Sequence, residues 1–345
     1  NPFSEAQWRA YCAANKKFSE KVMEVYEPGY MVWVHDYHLL LLPSYILRRH
    51  RAAQMGLFLH SPFPASDVFR SIAVRESLLR AMLNADLIGF LLFEYTRNFL
   101  ACCKRLLGLD HEFKRGGFLG VEYGGRHVMV QVSTFGVSPA LLQRHMLPPL
   151  APAAADELAP MRAALTTLGG RSGRQQGAQE APLVMLSGVD HLDRFKGITL
   201  KLLAWEGLLE SYPKYRTGHV LVQIIVSSRN QTKLVADANE VLSEIIAVVE
   251  RINTRFPGVV YVEAKQNFSL AARLLLWLET RVLVYSAVRE AVNAHPLEYL
   301  FARHLGSVRA GVAVLSEFSG FSRVLNGSLT TNPFDQAHLQ QALDQ

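Results

Sequence analysis

Short apolar runs rich in β-branched residues alternate along this chain with longer segments of helical period. In the first half, the strand-like runs are residues 30–34, 55–59, 87–90 and 127–132. In the second half they are residues 183–188, 220–226, 259–264, 281–285 and 312–315. Alternation of this kind is typical of βαβ units that build a parallel sheet. The chain is therefore predicted to be an α/β protein.

Apolar residues at helical spacing identify the segments between these strands. Residues 74–83 carry one such stripe, and a second lies on residues 95–107, where Tyr95, Phe99 and Cys102 share a face. Cys102 is therefore expected in the core rather than as a reactive thiol. A third stripe, over residues 241–256, predicts a crossover helix between two strands of the second half.

The composition changes between residues 147 and 182. Two prolines and an alanine-rich stretch precede a glycine- and arginine-containing run with neither period nor bulk. We predict a first α/β domain at residues 1–150, a linker with one helix at 151–182 and a second α/β domain at 183–325. Residues 326–345 are predicted to return toward the first domain.

The dispersed positive charge indicates a solvated surface more than a nucleic-acid interface, and a small anionic substrate would also use a few of these cations. The formal net charge is +6, yet the basic residues are dispersed as single residues or pairs such as Arg48 and Arg49. A nucleic-acid interface needs a clustered basic face. No nucleic-acid partner is therefore expected.

The compartment is expected to be cytoplasmic. Three cysteines, Cys12, Cys102 and Cys103, cannot form a disulfide framework, and none is spaced as a metal ligand. The longest apolar stretch, residues 30–47, contains His35, Asp36 and other polar residues that exclude a membrane span. The chain begins at Asn1 without a methionine and is expected to be part of a longer protein.

Two histidines, an aspartate and a tyrosine follow the first predicted strand, in the run His35-Asp36-Tyr37-His38. In a parallel sheet this is the edge at which ligands bind, and the Asp36 carboxylate could accept hydrogen bonds from sugar hydroxyls. An aspartate there would equally serve as a helix N-cap. The residues alone leave both interpretations open.

His60 follows the second predicted strand and precedes a loop that Pro62 and Pro64 make rigid. A fixed imidazole at the carboxyl end of a strand favours a ligand contact. The alternative is a histidine satisfied within the core.

In the second half, residues 188–197 join a strand to a helix that starts at Ile198. Lys196 and Gly197 stand directly before this helix, and a helix N-terminus beside a cation favours a diphosphate. The glycine spacing of phosphate loops and dinucleotide folds is absent. Farther along, Glu298 lies near a predicted helix start, where it could bind ribose hydroxyls or face solvent.

Four segments occur in the order and spacing found in trehalose-6-phosphate synthases: HDYHL at 35–39, FLHSPFP at 58–64, GVDHLDRFKG at 188–197, and R-x-x-x-N-x-x-x-x-E-Y at 289–299. The chain resembles this family, glycosyltransferase family 20, from Trp8 to about Asp335. Residues 102–109 and 195–204 are similar to the plant-type class II branch, whose members often show little synthase activity.

The resemblance implies a GT-B fold of two Rossmann-like domains whose parallel sheets face each other across a cleft. The first domain is expected to be incomplete at its N-terminus, where the family has a glycine-rich loop. The implied reaction is a retaining transfer of glucose from UDP-glucose to glucose-6-phosphate, giving trehalose-6-phosphate and UDP. It needs no cofactor, no metal and no protein nucleophile, because the donor phosphate takes the acceptor proton.

The resemblance also implies roles for individual residues. Asp36 would bind sugar hydroxyls on the acceptor side and His60 would contact the transferred glucose, as the catalytic pair. Arg229 would bind the acceptor phosphate. The donor side would comprise His191, Lys196, Glu290, Asn293 and Glu298, with Lys196 on the diphosphate and Glu298 on the ribose.

Departures from the family pattern lie on the donor side. Active members have arginine where this chain has His191, and Asp-Gly-Met-Asn-Leu-Val where it has residues 290–295. Arginine is permanently charged, whereas histidine with an ordinary pKa of about 6.5 is mostly neutral at pH 7. Ala291 adds a methyl group where the family has glycine, and strain or crowding is expected there.

These departures predict a weak or inactive synthase-like module that acts as a regulatory or scaffold subunit. The alternative is an active trehalose-6-phosphate synthase. Its expected ligands are UDP-glucose and glucose-6-phosphate or related sugar phosphates, with protein partners in a larger complex.

Overall fold

The computed structural model describes residues 3–114, 118–146, 152–171, 183–227 and 235–345. The chain divides into two compact units, residues 1–135 and 136–345. Each unit contains one six-stranded sheet. The sequence had placed the end of the first domain at residue 150, fifteen residues beyond this division.

The first unit contains a sheet in the order β1-β2-β3-β6-β5-β4. Its elements are α1 (Glu5–Val25), β1 (Met31–His35), α2 (Leu42–Arg49), β2 (Gln54–Leu59), α3 (Ser66–Phe69), α4 (Arg75–Met82), β3 (Leu87–Phe90), α5 (Phe93–Leu107), β4 (His111–Lys114), β5 (Phe118–Tyr123) and β6 (Arg126–Val132). Strands β1, β2, β3 and β6 are parallel, as predicted. Strands β4 and β5, which the sequence analysis missed, pair antiparallel at the edge beyond β6.

Aromatic side chains fill the core under this sheet. The ring of Phe63 lies 5.7 Å from that of Phe90 and 5.5 Å from that of Phe99. Cys102 is fully buried on the same helix as Phe99, as its spacing predicted, and burial raises the pKa of its thiol to about 11. The thiol is therefore protonated at neutral pH and is a core residue.

The second unit contains a sheet in the order β12-β11-β10-β7-β8-β9, with every pairing parallel. Its elements are α6 (Pro139–Met146), α7 (Pro152–Arg171), β7 (Val184–His191), α8 (Ile198–Ser211), β8 (His219–Val226), α9 (Val235–Arg255), β9 (Val260–Lys265), α10 (Leu270–Glu279), β10 (Val282–Tyr285), α11 (His295–Leu305), β11 (Val312–Ser316), β12 (Leu329–Thr331) and α12 (Gln336–Asp344).

Helices cover both faces of this sheet, so its central strands are buried on both sides. In β8, Val222 and Ile224 pack on one face with α10, while Leu221 and Ile225 pack on the other with α8 and α9. This is why the strand reads as an almost continuous apolar run instead of alternating with polar residues. The crossover helix predicted over residues 241–256 is the C-terminal part of α9.

Helix α7 occupies the predicted linker, whose remaining residues, 151 and 172–182, lie outside the described ranges. Its Ala154, Leu158 and Met161 are buried in the core of the second unit. The C-terminal helix α12 packs on α8, and Tyr215 donates to the Asp344 carboxylate at 2.6 Å. The return of this segment toward the first unit stays a prediction.

Among the described residues, no helix is long and apolar enough to cross a membrane.

Candidate functional sites

Asp36 directly follows β1 and has an unusual backbone conformation, with φ of 63° and ψ of 179°. Its amide donates to the Phe58 carbonyl at 2.8 Å, and its Oδ1 accepts from the amides of Tyr37 at 3.0 Å and Ser61 at 3.3 Å. The carboxylate thus caps the short 3₁₀-helix Tyr37–Leu39, as one of the two interpretations had it. Positive φ with extended ψ strains a side-chain-bearing residue, and such strain is concentrated at functional sites.

His60 is exposed at the end of β2, so it is not a core histidine. Its Nε2 lies 3.1 Å from Nδ1 of His35, which ends the neighbouring strand β1. One ring must donate to the other, and the pair fixes both rings at the carboxyl edge of the sheet. Asp36 shares this edge through its bond to Ser61, so the two predicted residues of the first unit lie together.

A pocket of about 360 Å³ opens at the carboxyl ends of the second-unit strands, where parallel sheets bind ligands. The lining residues come from β7, β8, the loop before α10, and helices α7, α10 and α11: Glu157, Val189, His191, Val226, Asn267, Phe268, Ser269, Arg273 and His295. His191 is exposed at the end of β7. Of the predicted donor-side residues, it is the one that lines this pocket.

Lys196 forms an ion pair with Glu290, 94 residues later in the chain. Their loops meet because β7 and β10 are neighbouring strands, and the Val288 amide donates to the Phe195 carbonyl at 2.8 Å. Asn293 Nδ2 also donates to Glu290 Oε1 at 3.3 Å. The structure thus brings Lys196, Glu290 and Asn293 together.

The electrostatics of this pair favour its charged form. Burial lowers the pKa of the Lys196 ammonium, but the Glu290 carboxylate beside it outweighs burial and leaves that pKa raised. Only about a fifth of the Lys196 side chain is exposed, and its ammonium is paired with the Glu290 carboxylate. A diphosphate that approaches Lys196 must therefore compete with a carboxylate already bound there.

Ala291 does not have the strained backbone that was expected from its replacement of glycine. Among described residues other than glycine, positive φ occurs at Asp36 and Ser307. Backbone strain from a positive φ, which is one form of the expected effect, is therefore absent at Ala291. Crowding of a donor by its methyl group stays a prediction.

Glu298 is buried, so the interpretation that it faces solvent is wrong. Its side chain is 8% exposed and accepts two hydrogen bonds of 3.0 Å from Arg273, at Nε and Nη2. Trp277 Nε1 lies 3.5 Å from the same carboxylate. Burial raises the pKa of Glu298, but the bonds and charge of Arg273 outweigh burial and leave it lowered.

His295 begins α11 and is held against the end of β7. Its Nδ1 lies 2.7 Å from the hydroxyl of Tyr285, which donates to the Val189 carbonyl at 3.0 Å. Burial is the main cause that lowers the pKa of His295 to about 4. The ring is therefore neutral at pH 7, with Nδ1–H donating to the tyrosine oxygen.

Lys201 and Asp190 form a buried polar centre that sequence reasoning missed. Lys201 is 1% exposed and donates to Asp190 Oδ2 at 3.0 Å, Gln223 Oε1 at 2.7 Å and the Val284 carbonyl at 2.9 Å. Asp190 stands in the GVDHLDRFKG segment, yet its carboxylate points to the core. The signal in the sequence was a lysine at an otherwise apolar position of α8.

Two predictions lie beyond what the structure describes. Arg229, expected to bind the acceptor phosphate, lies outside the described residues. Whether Asp36 and His60 share one cleft with the second-unit residues stays a prediction. Within the described ranges, no group of three or more histidine, cysteine or carboxylate side chains is arranged to hold a metal ion.

Two α/β units, each with polar side chains at the carboxyl ends of parallel strands, define this chain as having the GT-B glycosyltransferase fold. The solved structure of a trehalose-6-phosphate synthase, OtsA, has the same fold, with a TM-score of 0.83 over 99% of this chain and 70% of that one, at 24% identity. The Candida albicans trehalose-6-phosphate phosphatase N-terminal domain gives a TM-score of 0.82 at 26% identity, covering 100% of this chain and 68% of that one.

The chain belongs to glycosyltransferase family 20, whose model matches residues 1–165 and 171–345. It is 38% identical over 361 residues to alpha,alpha-trehalose-phosphate synthase [UDP-forming] 6 of Arabidopsis thaliana. The alignment covers 99% of this chain and 39% of that protein. The family and the similarity to plant members are thereby confirmed. The chain spans about two fifths of the length of this relative.

Proposed function

We propose that this chain is a trehalose-6-phosphate synthase-like glucosyltransferase module that binds UDP-sugars in its second unit and turns them over weakly or not at all. The proposed role of such a weak or inactive module is that of a regulatory or scaffold subunit in a larger protein complex. The similarity to UDP-forming synthases supports the ligand class. The observation that carries the weak activity is the position of His191, which lines the pocket where active members of the family have arginine.

The departure of UDP explains why the residue at position 191 matters. Departure of UDP builds negative charge on the diphosphate, and preorganised cations that meet this charge lower the barrier. Here His191 stands where active members have arginine, so one of these permanent cations is missing. Lys196 is paired with Glu290, at a position where active members also have a carboxylate, as aspartate. Loss of one preorganised charge contact commonly costs on the order of 10²-fold in rate.

The chain resembles a domain that is found outside proteins named as synthases. A domain of the same fold is the N-terminal part of a Candida albicans protein named as a trehalose-6-phosphate phosphatase. A synthase-like module that serves another activity of a longer chain is therefore a reasonable role for this protein.

The second candidate function is an active synthase. Asp36, His60, Lys196, Asn293 and Glu298 retain the residue types that the family pattern has at these positions. The side chains that would contact the acceptor and the transferred glucose are therefore present, and a measurement of turnover decides between the two functions.

We further propose that the module acts in the cytoplasm and needs no cofactor. Its three cysteines are free, which suits a reducing compartment. Glucose-6-phosphate or a related sugar phosphate is the proposed acceptor-side ligand, with Asp36 and Arg229 as its contacts.

The test is calorimetric titration of the full-length protein with UDP, UDP-glucose and glucose-6-phosphate, together with steady-state release of UDP. We expect UDP to bind and turnover to stay far below about 1 per second, the low end for typical enzymes. Turnover at or above that rate would establish the active synthase instead. Absence of UDP binding would refute the nucleotide site.

A further inference from the structure

Each of the three nitrogens of the Arg273 guanidinium donates a hydrogen bond within the protein. Its Nε and Nη2 donate to the two oxygens of Glu298, each at 3.0 Å, and Nη1 donates to the Phe268 carbonyl at 3.0 Å. A bidentate pair of this kind is among the strongest hydrogen-bonded contacts between side chains. The guanidinium is thus fixed between α11 and the loop that precedes α10.

The arginine, and not the glutamate, faces the pocket. Arg273 lines the cavity of about 360 Å³, whereas Glu298 is not among the lining residues. Their side chains are 20% and 8% exposed, respectively. The carboxylate therefore lies behind the guanidinium as seen from the cavity.

The position of Arg273 between the cavity and Glu298 affects how a nucleotide could bind. A buried carboxylate distinguishes ribose from deoxyribose by accepting hydrogen bonds from ribose hydroxyls, which needs free lone pairs directed at the ligand. Glu298 does not line the cavity, and each of its oxygens already accepts a hydrogen bond from Arg273. Ribose hydroxyls that enter the pocket therefore meet the guanidinium before they meet the carboxylate.

We propose that Arg273 is a specificity-determining residue of the pocket, which withholds Glu298 from the ribose and so makes the site nearly indifferent to the 2′-hydroxyl of a uridine nucleotide. This inference rests on the proposed function, because it assumes that the pocket receives the nucleoside. It concerns the ligand preference of the site and is independent of turnover.

The ionised state of Glu298 gives the inference its measurable consequence. Arg273 holds the pKa of this carboxyl below its ordinary value against the effect of burial, so the group is charged at neutral pH. With Arg273 replaced by methionine, a charged carboxylate would be left in a largely buried place without its main partners. A ribose hydroxyl that donates to it would then be worth far more than it is in the wild type.

The experiment measures calorimetric dissociation constants for UDP and 2′-deoxy-UDP with the full-length protein. The variants are Arg273→Met, the milder Arg273→Lys, and Arg273→Met combined with Glu298→Gln. We expect the wild type to prefer UDP by less than about 3-fold and Arg273→Met by about 10-fold or more, since a hydrogen bond to a charged group is worth roughly 1.5–3 kcal/mol. Arg273→Lys should lie between them, and Glu298→Gln should abolish most of the gain.

The outcomes separate this inference from the proposed function. A wild type that already prefers UDP by about 10-fold would overturn the inference alone, and so would folded Arg273 variants with an unchanged preference. If Arg273→Met does not fold, the comparison of wild type with Arg273→Lys decides in the same way. If none of the proteins binds UDP, the proposed nucleotide site itself is refuted, and the inference with it.

Discussion

Lys196 of the loop after β7 is ion-paired with Glu290 of the loop after β10, and the glutamate is 7% exposed. Ser319 Oγ lies 3.4 Å from the second oxygen of this carboxylate. Lys196, Asn293 and Ser319 together hold the carboxylate in place. The geometry makes Glu290 a competitor of any phosphate that approaches the start of α8.

Replacement of Glu290 by glutamine should therefore strengthen the binding of UDP. We expect about a 10-fold lower dissociation constant, since the ammonium of Lys196 regains a charge-assisted bond worth on the order of 1.5–3 kcal/mol, part of which is lost to desolvation. Calorimetry with UDP is the readout, because UDP carries no glucose that Glu290 itself could contact.

The matched control is Glu240→Gln, which removes the same charge from an exposed pair with Arg194. It should leave the affinity unchanged. Weaker binding by Glu290→Gln would show that the glutamate supports the diphosphate site instead of competing with it.

Replacement of His191 by arginine should also strengthen UDP binding, by about 1–3 kcal/mol, through a permanent charge at the pocket edge. Turnover need not return, because the other departures from the family pattern, at residues 290–295, remain. UDP binding and steady-state UDP release should be compared for wild type, His191→Arg, and His191→Arg with Ala291→Gly. His304→Arg, in the last turn of α11, adds an equal charge on an exposed position as a control. Equal UDP affinities in all variants would exclude His191 from the site.

Replacement of Lys201 by methionine should destabilise the second unit by about 3–5 kcal/mol, because it leaves Asp190 as a buried and uncompensated charge. Adding Asp190→Asn should recover part of that loss. Urea denaturation gives the free energy of unfolding for both proteins. A loss for the single variant below about 1 kcal/mol would mean that the buried pair is not needed for stability.

The buried neutral state of His295 predicts a dependence of stability on pH. Its pKa is about 4 in the folded protein and near 6.5 when unfolded, so the unfolded chain binds the extra proton first as the pH falls. The stabilisation is present above about pH 6.5 and is lost progressively down to about pH 4, by no more than about 3 kcal/mol.

Denaturation at several pH values tests this dependence, with His295→Gln as the variant that should flatten the slope between pH 4 and 6.5. His338→Gln, on the exposed side of α12, is the control and should keep the wild-type slope. Equal slopes for the wild type and His295→Gln would show that His295 does not cause the pH dependence.

The strained backbone at Asp36 predicts an unusual order of stability for two variants. Asp36→Ala and Asp36→Gly both lose the capping carboxylate, but only glycine adopts positive φ without strain. We expect the alanine variant to be less stable by at least about 1 kcal/mol, even though alanine is ordinarily the more stabilising of the two. Urea denaturation decides, and a more stable alanine variant would exclude strain at this position.

The strands and helices that make the fold could be predicted because their signal is local. Each predicted strand of the two parallel sheets is present within a few residues of its expected ends, since buried strands need continuous apolar runs. The missed strands, β4, β5 and β12, are short and partly polar. They form because the backbone of a neighbouring strand hydrogen-bonds to them, and the local sequence gives no information about that neighbour.

The candidate sites divide in the same way. The sequence by itself determined that Asp36 and His60 stand directly after strands and that Lys196 stands just before a helix, because the ends of apolar runs and the start of a helical period are visible in the chain. Only the tertiary structure decided that Glu290 binds Lys196 and that Arg273 covers Glu298. The partners are 94 residues apart in the first pair and 25 residues apart in the second. They meet because the order of the parallel strands brings their segments together in space, and this order is not visible in a local stretch of sequence.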